Sequence, residues 1–139
     1  MKKYTTSTLK ILKWGKDRFS HLGYDLFTIY FSQKFDCYLF KYKENSYIPR
    51  HKDPSFGYDH HIRFNFVLKK PEKGGTFYCN KMIYSGFNNR LFIFDASKSY
   101  HKIDKITKGT RYLLGIGIRF NNNSLCFKIY KKVTNYEWL

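Results

Sequence analysis

His51-Lys52-Asp53 sets an imidazole and a carboxylate two residues apart. In an extended segment such residues project to the same side, so both can reach one ion. With five histidines and ten acidic residues in the chain, a pair of this kind is common by chance and needs a third donor to carry meaning. His101 supplies one, after the apolar run Leu91-Phe92-Ile93-Phe94. Two imidazoles and one carboxylate form a three-donor face that suits ferrous iron and leaves octahedral positions open. Arg111 follows ten residues later, and its guanidinium fork matches a carboxylate in a bidentate way that lysine cannot. If residues 101–106 and 111–120 form a hairpin around Thr107-Lys108-Gly109-Thr110, that arginine returns beside the His101 strand end.

Rival readings exist for the neighbouring groups. His60-His61 follows Asp59, yet adjacent strand residues face opposite ways and cannot both ligate one ion, which leaves structural, solvent or substrate contacts. Asp95 and Asp104 flank His101, and Asp104, three residues on, falls on the opposite face of a strand. Arg63 and Asn65 share one face of their strand and can both point into a pocket. Tyr42 is either a pocket hydroxyl or one of 13 tyrosines packed in a core. Cys37, Cys79 and Cys126 are far apart, odd in number and without a C-x-x-C pair; they read as small buried hydrophobes in a reducing compartment.

The elements that must position these groups are mostly strands. Residues 37–43, 61–69, 76–80, 81–84, 90–94, 101–106, 111–120 and 125–130 are rich in aromatic and β-branched side chains, with turn-like separators such as Pro71-Glu72-Lys73-Gly74-Gly75 and Asn121-Asn122-Asn123. Short strands in series point to a sandwich or a barrel, a jelly roll being one solution. Leu9, Leu12 and Phe19 lie near helical spacing and predict a short helix within residues 7–19, part of a helical preface over about residues 5–30 ahead of a β core over about 35–132. At 139 residues, with 21% aromatics and no repeat or linker, the chain is expected to be one domain, residues 1–139.

The net charge of +16 suits a polyanionic partner such as nucleic acid, or an acidic peptide, and equally a solvated basic surface. No apolar run follows Met1-Lys2-Lys3, so neither signal peptide nor membrane span is expected and the protein is read as soluble and cytoplasmic.

From about residue 41 to 120 the chain resembles the Fe(II)/2-oxoglutarate dioxygenases, and within them the prolyl-hydroxylase-like branch. Five features in order carry the likeness: Tyr42 nine residues before His51, His51-Lys52-Asp53, Gly74-Gly75-Thr76-Phe77, the apolar strand leading to His101, and Gly109-Thr110-Arg111. The resemblance implies a mainly β fold, a double-stranded β-helix or jelly roll, here with a short N-terminal helical segment. It implies Fe(II) held by His51, Asp53 and His101, with 2-oxoglutarate and O2 taking the open positions. Arg111 would pair with the distal carboxylate of 2-oxoglutarate, with Tyr42 and Asn65 as further co-substrate contacts. The activity implied is decarboxylation of 2-oxoglutarate to succinate and CO2, coupled to hydroxylation of a C–H bond. The His101-to-Arg111 interval favours a protein side chain such as proline as substrate. The charge and the aromatics favour a nucleic-acid base, although the alkylated-DNA-repair members carry a second arginine nearer the first than Arg119 is to Arg111. A non-catalytic cupin-like binding module is the third reading.

Overall fold

Tyr24, Leu26 and Thr28 are buried in alternation, as are Arg111, Leu113, Gly115, Gly117 and Arg119. That period of two builds sheets, and sheets are what the computed structural model, which describes residues 10–15 and 17–135, displays. In chain order the strands are β1 (Lys10–Gly15), β2 (Tyr24–Phe31), β3 (Phe35–Tyr42), β4 (Ile48–His51), β5 (His60–Lys69), β6 (Lys73–Gly74), β7 (Phe77–Cys79), β8 (Tyr84–Gly86), β9 (Leu91–Asp95), β10 (His101–Ile103), β11 (Ile106–Lys108) and β12 (Arg111–Phe120). A 3-10 turn, Ser20–Leu22, precedes β2, and one helix, α1 (Leu125–Thr134), follows β12.

All pairings are antiparallel. The large sheet runs β1-β2-β3-β12-β5-β9-β8, a second runs β4-β10-β7, and β11 pairs with β6. The late strand β12 lies between β3 and β5, so the chain closes back over its own first half, and the arrangement fits a jelly-roll β fold. The two main sheets meet through aromatics: the Phe77 ring of β7 is 4.9 Å from Phe92 and 5.1 Å from Phe94 of β9. Phe94, Ile106 and Leu113 are all but inaccessible at the centre of that core. No helix among the described residues is long and apolar enough to cross a membrane.

Three expectations are corrected. The N-terminal helix is absent over the described part of its range: residues 10–15 are the edge strand β1, paired with β2, and residues 24–31 are β2 itself, paired with β3. Residues 7–9 and 16 of the predicted helix, and residues 5–6 of the preface, lie outside the described residues. Three apolar side chains near helical spacing are outweighed here by the two-residue alternation of an aromatic and β-branched strand that finds partners. Conversely, residues 125–130, read as a strand, begin α1, whose first turn is capped by Ser124: its Oγ accepts the Phe127 N–H at 3.3 Å. Phe127 and Tyr130 then pack on the His60 ring, 5.5 and 5.0 Å between centroids. The expected hairpin between residues 101–106 and 111–120 does not form either, because β10 pairs with β4 and β7 while β12 pairs with β3 and β5.

On β5 and β12 the polarity runs the unusual way round. His61, Arg63 and Asn65, with Arg111 and Arg119, face the interior and line one cavity, while Leu114, Ile116 and Ile118 alternate with them on the other face. Charged side chains are rarely buried without a partner or a task.

Candidate metal centre

β4 and β10 are paired with His51 opposite His101, which fixes the two rings 4.3 Å apart between centroids. Asp53 follows β4 by two residues, and its backbone N–H donates to Ala96 O at 2.8 Å, which ties the segment to the end of β9. One ligand atom from each of His51, Asp53 and His101 falls within 4.8 Å of the others. Asp53 Oδ1 is 3.1 Å from His51 Nε2 and 3.5 Å from His101 Nε2.

The rings are held in the tautomer a metal needs. His51 Nδ1–H donates to Pro49 O at 2.7 Å and His101 Nδ1–H donates to Ser99 O at 3.0 Å. Each Nδ1 proton is thereby occupied on a backbone carbonyl, and each Nε2 is turned toward Asp53 Oδ1, free to donate to it or to give its lone pair to a metal in its place, the outer-shell arrangement that orients metal-binding imidazoles. Burial by itself would raise the Asp53 carboxyl, but hydrogen bonds from His101 and His51 outweigh it and hold the acid well below the usual carboxylate range. The residues fit a divalent metal: two neutral nitrogens and one anionic oxygen on one side, and a cavity on the other.

That cavity holds about 340 Å³. Phe77, Phe94, Ile48 and Leu113 give it apolar walls. Arg111 enters from β12, whose register sets it opposite Tyr42 on β3. It is 3% exposed, with Nη1–H donating to Gly75 O at 3.0 Å. Gly74 and Gly75 make that contact possible, since both have positive φ and a Cβ on Gly74 would sit 2.2 Å from Lys105 O. Arg111 Nε has no partner, and no carboxylate pairs with this guanidinium among the described residues. Burial lowers its pKa from the ordinary arginine value, so an anion delivered to it from outside is favoured. Tyr42 is fully enclosed, its ring 5.8 Å from the Arg111 guanidinium carbon, and burial pushes its hydroxyl pKa well up. Asn65 lines the same cavity, with Oδ1 buried and unpaired.

The neighbouring groups separate as alternation requires. His60 turns away from the cavity: Nδ1 meets Asp95 Oδ2 at 2.9 Å and Nε2 meets Asn122 Oδ1 at 2.7 Å. His61 faces the cavity with neither ring nitrogen hydrogen-bonded, Nε2 lying 3.9 Å from Asp36 Oδ2. Asp95 is engaged by His60 and by Ser97 at 2.7 Å, and Asp104 by Lys102 at 3.1 Å, so neither joins the triad. All three cysteines are free, and burial pushes the Cys37 and Cys79 thiols up, away from reactivity. Sequence reasoning missed Asp36, which pairs with both Arg63 and Arg119 at the far end of the cavity.

No family model matches the chain, and no curated protein matches it. Among solved structures it is similar to KdgF from Halomonas sp., at 11% identity over 79% of this chain and 89% of that one, with a TM-score of 0.46. It is also similar to an RmlC-like cupin from Desulfovibrio desulfuricans, at 16% identity, 72% and 88% coverage and a TM-score of 0.41. A third is an RmlC-like cupin from Shewanella frigidimarina, at 12% identity, 83% and 90% coverage and a TM-score of 0.42. The second and third are named as cupins, and none of the three is named as a 2-oxoglutarate oxygenase.

Proposed function

We propose that the protein is an Fe(II)- and 2-oxoglutarate-dependent dioxygenase that hydroxylates a C–H bond. The observation that carries this reading is the convergence, on one cavity, of a two-imidazole, one-carboxylate face and a buried guanidinium that has no counter-ion among the described residues. Iron, when bound, supplies the activation of O2 that couples decarboxylation of 2-oxoglutarate to hydroxylation. The chain's own residues do the rest. His51 and His101 present Nε2 because Pro49 and Ser99 hold their Nδ1 protons. Asp53 contributes the negative charge that offsets part of the cation's. Arg111 binds the distal carboxylate of 2-oxoglutarate and orients its other end toward the triad, and Tyr42 can donate a hydrogen bond beside it without adding charge. The phenylalanine walls exclude water, which strengthens these electrostatic contacts.

Supporting the choice of iron with an oxoacid is the donor set itself: carboxylate-plus-imidazole faces with open positions suit Fe(II). A protein side chain such as proline is the substrate favoured by the His101-to-Arg111 interval. The charge of +16 favours the second reading, a nucleic-acid base or nucleotide. The test is succinate formation from 2-oxoglutarate under air with added Fe(II). Wild-type protein is expected to produce it and His51→Ala, Asp53→Ala and His101→Ala to produce none; succinate from Asp53→Ala at the wild-type rate refutes the ligand assignment.

A further inference from the structure

At the other end of β12 from Arg111, the inner face of the large sheet holds a second set of charges. Gly117 of β12 is opposite Arg63 of β5 on one side and opposite Asp36 of β3 on the other. Arg63 therefore has to cross β12 to reach its partner, and its Nη1–H donates to Asp36 Oδ1 across that strand. The crossing needs bare backbone. A Cβ on Gly117 would lie 2.5 Å from Arg63 Nη1 and 2.7 Å from Asp36 Oδ1, and one on Gly115 would lie 2.6 Å from Arg63 Nη2. Neither glycine has a positive φ, so space is what requires them. Arg119 completes the group, donating from Nη1 to Asp36 Oδ2 at 3.1 Å and to Gln33 O at 3.2 Å.

The charges in this group do not balance. Two guanidiniums, each 6% exposed, share one carboxylate, Asp36, which is inaccessible. Arg119 Nε, both ring nitrogens of His61 and Asn65 Oδ1 are buried without hydrogen-bond partners, and all of these side chains line the cavity that holds the triad. A buried cation left uncompensated costs several kcal/mol, and unpaired buried donors add to the deficit. Asp17 and Arg18 both line the same cavity from the segment before β2, so that segment leaves the balance unchanged. What is missing is one negative charge with hydrogen-bonding oxygens.

We propose that this end of the cavity is the subsite for the molecule that is oxidised, and that it binds an anionic group of that molecule, a carboxylate or a phosphate. The proposal rests on the hydroxylase reading in one respect: there, Arg111 is taken by 2-oxoglutarate. The eight residues from Arg111 to Arg119 span about 26 Å of extended chain, so two anions can be seated without sharing a guanidinium. Arg63, Arg119 and His61 at one end and Arg111 and Tyr42 at the other line the one cavity that His51, Asp53 and His101 also line, so the triad faces both. A substrate held by its anionic group on Arg119 and Arg63 presents the carbon attached to that group to the metal face. The subsite selects a substrate by charge, through free guanidinium N–H groups, with neutral His61 and Asn65 reading the polar atoms next to it.

The test is calorimetric, on Fe(II)-loaded protein without oxygen and with 2-oxoglutarate saturating, using acetate and methyl phosphate as probes. Saturable one-site binding of either probe with 2-oxoglutarate retained is expected, and the preferred probe tells carboxylate from phosphate. Arg119→Gln is expected to weaken it at least tenfold and Arg111→Gln to leave it in place, each variant being checked for folding by circular dichroism. Displacement of 2-oxoglutarate one for one, no saturable binding of either probe, or wild-type affinity in Arg119→Gln overturns the proposal. The wild-type displacement measurement decides it even if a variant does not fold. If 2-oxoglutarate fails to bind while a probe binds in an Arg119-dependent way, the hydroxylase reading falls and the anion subsite stands.

Discussion

His61 is the residue whose protonation the fold opposes most strongly. Burial first, then the nearby Arg63 and Arg119 guanidiniums, lower its pKa from the ordinary 6.5 to about 2. Between those two values the unfolded chain binds a proton at this position that the folded chain does not, so the stability linked to His61 is complete above pH 6.5 and is lost as pH falls below it. In metal-free protein, urea unfolding is therefore expected to show a shallower acid limb for His61→Gln than for wild type. The difference in slope is at most about 1.4 kcal/mol per pH unit, one proton's worth; parallel limbs for the two proteins contradict it. At this scale the sequence was legible wherever chemistry depends on residue type and short spacing. His51 and Asp53 stand two apart, and a histidine after an apolar strand supplied the third member. Asp36 was not legible, because its partners Arg63 and Arg119 are 27 and 83 residues away in the chain and meet it only through the register of three strands.

Among the elements, β12 carries most of the design. Its inner face reads Arg111, Leu113, Gly115, Gly117, Arg119: a cation at each end and bare backbone between, over which Arg63 lies. Gly117→Ala is expected to displace the Arg63–Asp36 pair and to cost about 3 kcal/mol, the usual scale for overpacking a core or breaking a buried ion pair. Gly15→Ala, where an added Cβ meets nothing within 4 Å, is the control and is expected to shift the urea midpoint little. Equal midpoints for the two variants contradict the crossing geometry. The strands around β12 were legible from aromatic and β-branched runs, whereas partner choice was not: residues 101–106 and 111–120 look like a hairpin in sequence, yet each end pairs elsewhere. The two ends of the chain misled for opposite reasons. Near the N-terminus, three apolar residues at helical spacing obscured the alternation of Tyr24, Leu26 and Thr28. Near the C-terminus, β-branched and aromatic residues obscured a helix that Ser124, in the N-cap position, announced.

For the molecule as a whole, the metal is expected to act as part of the fold. The three donors lie on segments separated by some fifty residues and are brought together only by β4–β10 pairing, so an ion that binds them binds the folded state alone. At a hundredfold excess over its dissociation constant this is worth about 2.7 kcal/mol. Chelator is expected to lower the melting temperature of wild-type protein by several degrees and to leave Asp53→Ala unaffected; identical responses contradict a shared ion. The charge of +16 and the buried cations at both ends of one cavity also belong to this scale, since together they draw anions toward the site. The central claim is that one ferrous ion and one arginine jointly hold 2-oxoglutarate, and an anaerobic calorimetric titration of 2-oxoglutarate with and without Fe(II) tests it most directly. The expected result is tight one-to-one binding that requires Fe(II), disappears in Asp53→Ala and weakens ten- to a hundredfold in Arg111→Gln, the range for a charge-assisted pair. Equal affinity in the absence of iron, or in Arg111→Gln, contradicts it.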